Sequence, residues 1–316
     1  MKNKIMAILV AFGMVGSVSA IEVNENLSIN GFIDGSITKT DNGTAIAGGD
    51  TSNWGLDEIE VDFLFNVGSV SGQVDIDTND AAGTGDLDIE QAHFTYTMDN
   101  GVSMTFGRFG SALGLEREDP AGLYTYSRAY GSSAFNLGNV DSAAYEGLSL
   151  SYAAEAWSLG VSIVNENGSI RTGGAKDDLD YEVALSFTGI ENLAVGVGMY
   201  KQNKNVAANE ADVTNINATY QVGKALLGAE YSKIDATVDL TANMFLIDYD
   251  VSDKLGFAVR YSTYETAANN DIDTITIAPN YAITESLGAI LEYSDVSNDT
   301  ANSDSDTIAL ELTYTF

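Results

Sequence analysis

From Leu27 onward the chain alternates apolar and polar positions in runs of roughly ten residues, the period-two pattern of a strand with two unlike faces. Leu27, Ile29, Gly31, Ile33, Gly35 and Ile37 share one face, and Ser28, Asn30, Phe32, Asp34, Ser36 and Thr38 share the other, mostly polar one. After a Gly- and Asp-rich loop predicted over 41–55, the pattern returns as Ile59, Val61, Phe63 and Phe65 against Glu58, Glu60, Asp62 and Asn66. A tight Gly68-Ser69 turn leads into Val70, Val74 and Ile76 against Asp75 and Asp77. Asp99-Asn100-Gly101 is a strong hairpin signal between the strands carrying Phe94 and Phe106. The same scheme repeats to the final strand, Thr307 to Phe316, and predicts about sixteen strands, an even number as single-chain bacterial barrels have.

Connections alternate between short turns and long loops rich in Asp, Asn, Gly and Thr. Short turns and both termini then share one rim, and the long loops occupy the other, the arrangement of an outer-membrane barrel. Outward aromatics (Phe65, Tyr96, Tyr152, Trp157, Phe187, Tyr220, Tyr249, Phe257, Tyr281 and Phe316) lie close to short turns or to the C-terminus. They predict an aromatic girdle at one membrane interface. Three places strain the pattern. Arg108 falls on the apolar face unless a bulge at Gly107 turns it inward; Pro279 sits within a strand and predicts a local bulge; and the stretch from Val238 to Leu246 is apolar on both faces, leaving its register open.

One stretch does not alternate. Gly110 to Val140 carries Glu116, Arg117, Glu118, Asp119 and Pro120, then Tyr124, Tyr126, Arg128 and Tyr130. Loops longer than about 12–15 residues are functional or disordered, and so many aromatics argue against disorder.

Composition narrows the class. Residues 1–20 have a basic start, an apolar middle and the small-residue end Val18-Ser19-Ala20, which reads as a secretory signal peptide with the exported chain beginning at Ile21. Beyond it no apolar run is long enough for a membrane-spanning helix. There are no cysteines, so no disulfide framework or thiolate metal site. A formal net charge of −32 excludes a nucleic-acid partner.

The signal peptide, the alternating strands, the terminal Leu-Thr-Tyr-Thr-Phe and the run Phe106-Gly107-Arg108-Phe109 leading into the long loop together resemble the Gram-negative outer-membrane porins of the 16-stranded general-diffusion type, over essentially all of residues 21–316. The resemblance implies an all-β, transmembrane antiparallel barrel with its third loop folded into the pore. It also implies a homotrimer among outer-membrane lipid and lipopolysaccharide, a water-filled channel for small hydrophilic solutes, and no cofactor. Tyr314 and Phe316 would be the assembly signal. Glu116, Glu118 and Asp119 would be the acids of the constriction, facing basic wall residues. Here the chain departs from the family pattern, because the available arginines are Arg260, Arg108 and Arg128, too few for a strong transverse field.

Polar-face positions carry Glu58, Glu60, Asp62, Asp75, Asp77, Asp180, Glu182, Glu230, Glu292 and Glu311. Rings of carboxylates favour cations, which predicts a cation-selective diffusion pore. The alternative is that these acids only solvate lumen and loops. Competing readings are a sugar-specific channel lined by Tyr124, Tyr126 and Tyr130, a barrel enzyme using the single histidine, His93, and an acidic secreted adhesin. His93 lacks an accompanying nucleophile motif. Asp75, Asp77, Asn79 and Asp86 match part of a calcium-loop spacing, with Asp80 where the turn glycine belongs, so calcium at acidic loops is a further expectation.

Overall fold

The computed structural model describes residues 20–42, 49–78, 87–116, 119–130, 144–165, 179–203, 212–236, 239–266, 270–299 and 304–316. A short strand, β1 (Ile21–Asn24), precedes sixteen longer ones. The first quarter comprises β2 (Leu27–Asp41), β3 (Thr51–Val67), β4 (Val70–Thr78) and β5 (Leu87–Thr97). Then come β6 (Val102–Gly110), β7 (Ala144–Ala153), β8 (Trp157–Val164) and β9 (Asp180–Ile190). They are followed by β10 (Leu193–Lys201), β11 (Asp212–Val222), β12 (Ala225–Asp235) and β13 (Leu240–Asp250). The last four are β14 (Leu255–Thr266), β15 (Asn270–Ala282), β16 (Leu287–Asn298) and β17 (Ser305–Thr315).

Each strand pairs antiparallel with the next, and β17 pairs with β2 from Asp306↔Asp41 to Thr315↔Phe32, which closes the barrel. Closure leaves the sixteen strands without a free edge, the condition for burying backbone polar groups in a membrane. β1 lies on the same edge of β2, with Ile21 opposite Ile29, and Phe316 exchanges backbone hydrogen bonds of 3.1 Å with Gly31. The two ends of the described chain therefore meet along one strand.

Alternation sets which way each side chain points. Ile33, Ile37, Leu148, Leu150, Ile275, Ile277 and Leu310 face outward and are exposed, while Asp34, Glu60, Asp75 and Thr276 are buried inside. The predicted girdle is present at the short-turn rim, with Tyr152 and Trp157 rings 5.6 Å apart and Tyr249 and Phe257 5.7 Å apart. A second aromatic set, missed by the sequence reading, lies nearer the long loops. Tyr181, Tyr231, Tyr261 and Tyr293 are outward there, and the Tyr261 hydroxyl donates to Asp273 at 2.7 Å.

The irregular places have local causes. Asp57 is an extra residue opposite the Asp34/Gly35 step, so β3 changes parity there: Trp54 and Leu56 face outward before it, Ile59 and Val61 after it. The predicted 41–55 loop is accordingly too long, because the bulge hides the alternation from Thr51 to Leu56. A second register shift, between Val74 and Ile76 of β4, places Glu90 and Gln91 opposite Asp75 and turns Glu90 inward. Gly107 has φ +133°, and a Cβ on it would stand 2.2 Å from the Ala92 carbonyl oxygen, so only glycine fits. That distortion does not bring Arg108 into the lumen: Arg108 keeps its place opposite Ala92 and Glu146, and its Nε donates to the Glu90 carbonyl at 2.7 Å. Nor does Pro279 make a bulge. The β14 ladder runs through it as Phe257↔Pro279, and the β16 ladder omits Ala278 and Pro279 but resumes in the same register.

Candidate functional site: a loop folded across the barrel lumen

Leu240, Ala242, Met244 and Leu246 of β13 face inward and are at most 4 % exposed, which settles the register from Leu240 on; Val238 lies outside the described residues. A greasy inward face needs a cover. Phe109, Leu113, Tyr145, Val164, Tyr200, Val213 and Ile234 join Leu240 and Ala242 in one buried cluster, a core inside the barrel. Leu113 comes from the long loop after β6, hereafter L3. It rests on Gly198 of β10, where a Cβ would approach its Cδ2 to 2.0 Å. Tyr130, at the far end of the described L3 segment, packs on the same cluster, and burial pushes its hydroxyl well above the usual tyrosine range, with the Glu230 and Glu116 charges adding to the effect.

Wall carboxylates fix the loop backbone. Glu182 accepts from Ser111 Oγ at 2.6 Å and from the Ala112 amide at 2.9 Å. Glu230 accepts from the Leu115 amide at 2.9 Å and from Asn215 Nδ2 at 2.6 Å. Glu292 accepts from the Ser127 amide at 3.1 Å. Such an acceptor satisfies a backbone donor that would otherwise be buried unpaired, at a net gain of roughly 1.5–3 kcal/mol per bond to a charged group.

Arg260 of β14 is the hub. It is fully buried and pairs with Glu116 at 2.7 Å. Its Nη1 also donates to Thr125 Oγ1 at 2.7 Å and the Ser127 carbonyl at 2.5 Å, and its Nη2 donates to Ser127 Oγ at 2.8 Å. Glu116 in turn accepts from the Ala129 amide at 2.6 Å, and Ser262 Oγ donates to the Ala129 carbonyl at 2.5 Å. One guanidinium thus holds Glu116 and, nine to eleven residues further along L3, Thr125 and Ser127 in a single knot. Between these points the loop crosses the lumen. The turn Pro120–Gly122 packs against β2 and β17, and Ser36 Oγ of β2 donates to Tyr126 at 3.2 Å. A cavity of about 240 Å³ remains between L3 and the β9–β13 wall, lined by Leu113, Leu115, Tyr124, Asn217, Met244 and Leu246.

On the opposite wall the carboxylates meet one another. Glu58, Glu60 and Asp119 of L3 each offer an oxygen within 4.8 Å of the others, and so do Glu60, Asp75 and Glu90. Glu60 and Asp75 are 2 % and 0 % exposed, yet Glu60 Oε2 and Asp75 Oδ1 have no hydrogen-bond partner. Asp62, Asp77 and Glu311 each leave one oxygen in the same condition. Arg128 is within electrostatic reach of Glu58.

The predicted residues therefore divide. Glu182, Glu230, Glu292 and Glu116 hold the loop, and Arg260 is spent on it rather than facing an open pore. Asp180 accepts from the Tyr200 hydroxyl at 2.8 Å and the Asn203 amide at 2.7 Å. Glu58, Glu60, Asp62, Asp75 and Asp119 form the acidic wall, to which the bulge adds Glu90 and β2 adds Asp34. Asp75 and Asp77 stand on a strand rather than in a loop, while Asn79, Asp86 and Glu118 fall outside the described residues, as do residues 1–19 of the signal peptide reading. The tyrosines do not make one path: Tyr130 is in the core, Tyr126 is bonded to β2 and Tyr124 lines the cavity. His93 faces the lumen with its Nδ1 unbonded. Tyr314 and Phe316 stack at 6.0 Å beside the closure seam.

The Gram-negative porin family matches residues 6–316. Comparison with curated protein sequences gives no match. Among solved structures, the outer-membrane channel DcaP of Acinetobacter baumannii is 14 % identical at a TM-score of 0.71, covering 94 % of this chain and 100 % of that one. OmpF of Salmonella typhi, solved with daunomycin, is 15 % identical at 0.71 with the same coverage. An anion-selective porin from Comamonas acidovorans is 12 % identical at 0.67, covering 92 % and 99 %. At such identities the likeness concerns the fold.

Proposed function

The chain belongs to the Gram-negative porin family, an outer-membrane β-barrel channel, and from that premise we propose that it passes small hydrophilic solutes by diffusion with a preference for cations. The observation that carries the preference is the acidic wall, where the partly exposed Glu58, Asp62, Glu90 and Asp119 of L3 gather around the buried Glu60 and Asp75. A water-filled path bordered by carboxylates concentrates cations and repels anions. Fold alone does not decide this, since an anion-selective porin has the same architecture. Arg260 has its charge neutralised by Glu116 and both terminal nitrogens engaged by L3, so among the described residues Arg128, within reach of Glu58, is the positive group set against the acids.

The same reading has the chain exported with a cleaved leader ending at Ala20 and assembled as a homotrimer, the form recorded for a structural neighbour, in-vitro folded OmpT of Vibrio cholerae. The test is the reversal potential of the purified protein in a planar bilayer under a potassium chloride gradient. The expected sign is cation preference, reduced in a Glu58→Gln/Asp119→Asn double variant. Anion preference in the parent protein would overturn the reading, and block by a specific sugar would replace general diffusion with a selective channel.

A further inference from the structure

We propose that the acidic wall binds calcium, with Glu60 as the shared ligand of two carboxylate triads, Glu60–Asp75–Glu90 and Glu58–Glu60–Asp119. Two independent features meet here. The first is geometry: oxygens drawn from β3, β4, β5 and L3 converge to within 4.8 Å of one another. Calcium, at 2.3–2.6 Å from each oxygen, spans about that separation, whereas magnesium, at about 2.0–2.1 Å, needs a tighter cage. The second is the condition of the buried atoms. Glu60 and Asp75 are buried, at 2 % and 0 % exposure, and Glu60 Oε2 and Asp75 Oδ1 each lack a hydrogen-bond donor in a cluster whose carboxylates lie within 4.8 Å of one another. At Glu182 and Glu230 L3 supplies the donors that these two lack.

The nearby arginines do not fill that role. Arg108 points its Nε at the backbone carbonyl of Glu90, not at the carboxylate, and Arg128 acts on Glu58 at the edge of the cluster. All candidate ligands are carboxylate oxygens, which selects a hard divalent cation over zinc or copper. Because Asp119 belongs to L3 and the other ligands to the wall, the bound ion would tie the loop turn to β3. The inference stands on the geometry of the cluster and does not depend on which ions the pore prefers.

The experiment is calorimetric titration of calcium chloride into the folded, EDTA-treated protein in detergent, with the unfolding temperature followed in parallel. Expected is binding of about one calcium per chain, not displaced by an equal concentration of magnesium, and a rise in unfolding temperature, since a ligand that binds only the folded state stabilises it. Glu60→Gln is expected to weaken binding by about tenfold or more, because it removes the ligand common to both triads. In EDTA that variant should unfold no lower than the parent, having lost a repulsive charge, and this separates a lost site from a damaged fold. Asp119→Asn supplies a second reading from outside the strands, and Glu155→Gln, in a short turn far along the chain, should bind as the parent does. No calcium binding, or binding that Glu60→Gln and Asp119→Asn leave unchanged, would overturn the proposal.

Discussion

The two halves of the lumen wall use the same residue types to opposite ends. From β9 to β16, inward carboxylates receive backbone amides of L3, and Arg260 gives its two terminal nitrogens to oxygens of the loop and of Thr276 while its Nε has no partner. From β3 to β5, inward carboxylates face each other with oxygens left over. An inward acid on a barrel strand thus has no fixed role. It is a structural acceptor where L3 brings it a donor and a field or ligand group where L3 brings none.

The largest way to break the difference is at Arg260. Arg260→Ala strands Glu116, Thr125 and the Ser127 carbonyl in a closed interior, and breaking a buried pair from one side costs about 3–5 kcal/mol. The expected result is a fall in the unfolding temperature of the detergent-solubilised barrel, trypsin cleavage after Arg128 in otherwise folded protein, and larger, noisier single-channel steps. A variant that keeps the parent's steps and resists trypsin would mean that L3 is held by its apolar contacts instead.

Those contacts are tested next. Gly198→Ala puts a methyl where Leu113 Cδ2 stands, 2.0 Å from the new carbon, so the leucine must leave its seat. Overpacking of this kind costs about 1–3 kcal/mol. Leu113→Ala should relieve the clash when combined with Gly198→Ala, so that the double variant is more stable than the sum of the single effects allows. Additive losses would place the leucine elsewhere.

How much of this was legible in the sequence follows from what each residue depends on. Strand number, facing and the short-turn girdle are local properties of alternation, and they could be read from Leu27 to Phe316 without knowing any partner. The parity change at Asp57 and the inward turn of Glu90 were not readable, because a bulge is defined by the strand opposite it. The apolar inward face of β13 looked like noise in a polar lumen. It makes sense only once Leu113 and Tyr130 lie on it, contacts made across more than a hundred residues of chain. The division between loop-holding and free acids was invisible for the same reason: Glu230 and Asp75 have the same chemistry and the same parity, and differ in what L3 brings to them.

That pair gives the finest test, with the smallest expected effect. Glu230 accepts one loop amide and one asparagine amide, so Glu230→Gln keeps a single acceptor oxygen and turns two charge-assisted bonds into at most one neutral one. The loss should be about 1–2 kcal/mol. Asp75 Oδ2 accepts from Gln73 Nε2 at 2.7 Å, its Oδ1 has no donor, and its carboxylate lies within 4.8 Å of those of Glu60 and Glu90. Asp75→Asn retains that acceptor and removes a like charge from a crowded site, so in EDTA the unfolding temperature should hold or rise. Opposite signs from two buried acids of equal parity would establish that L3, not position on the barrel, assigns their roles. A fall in both would mean that the β3–β5 acids are also held by donors, and the contrast between the two walls would be lost.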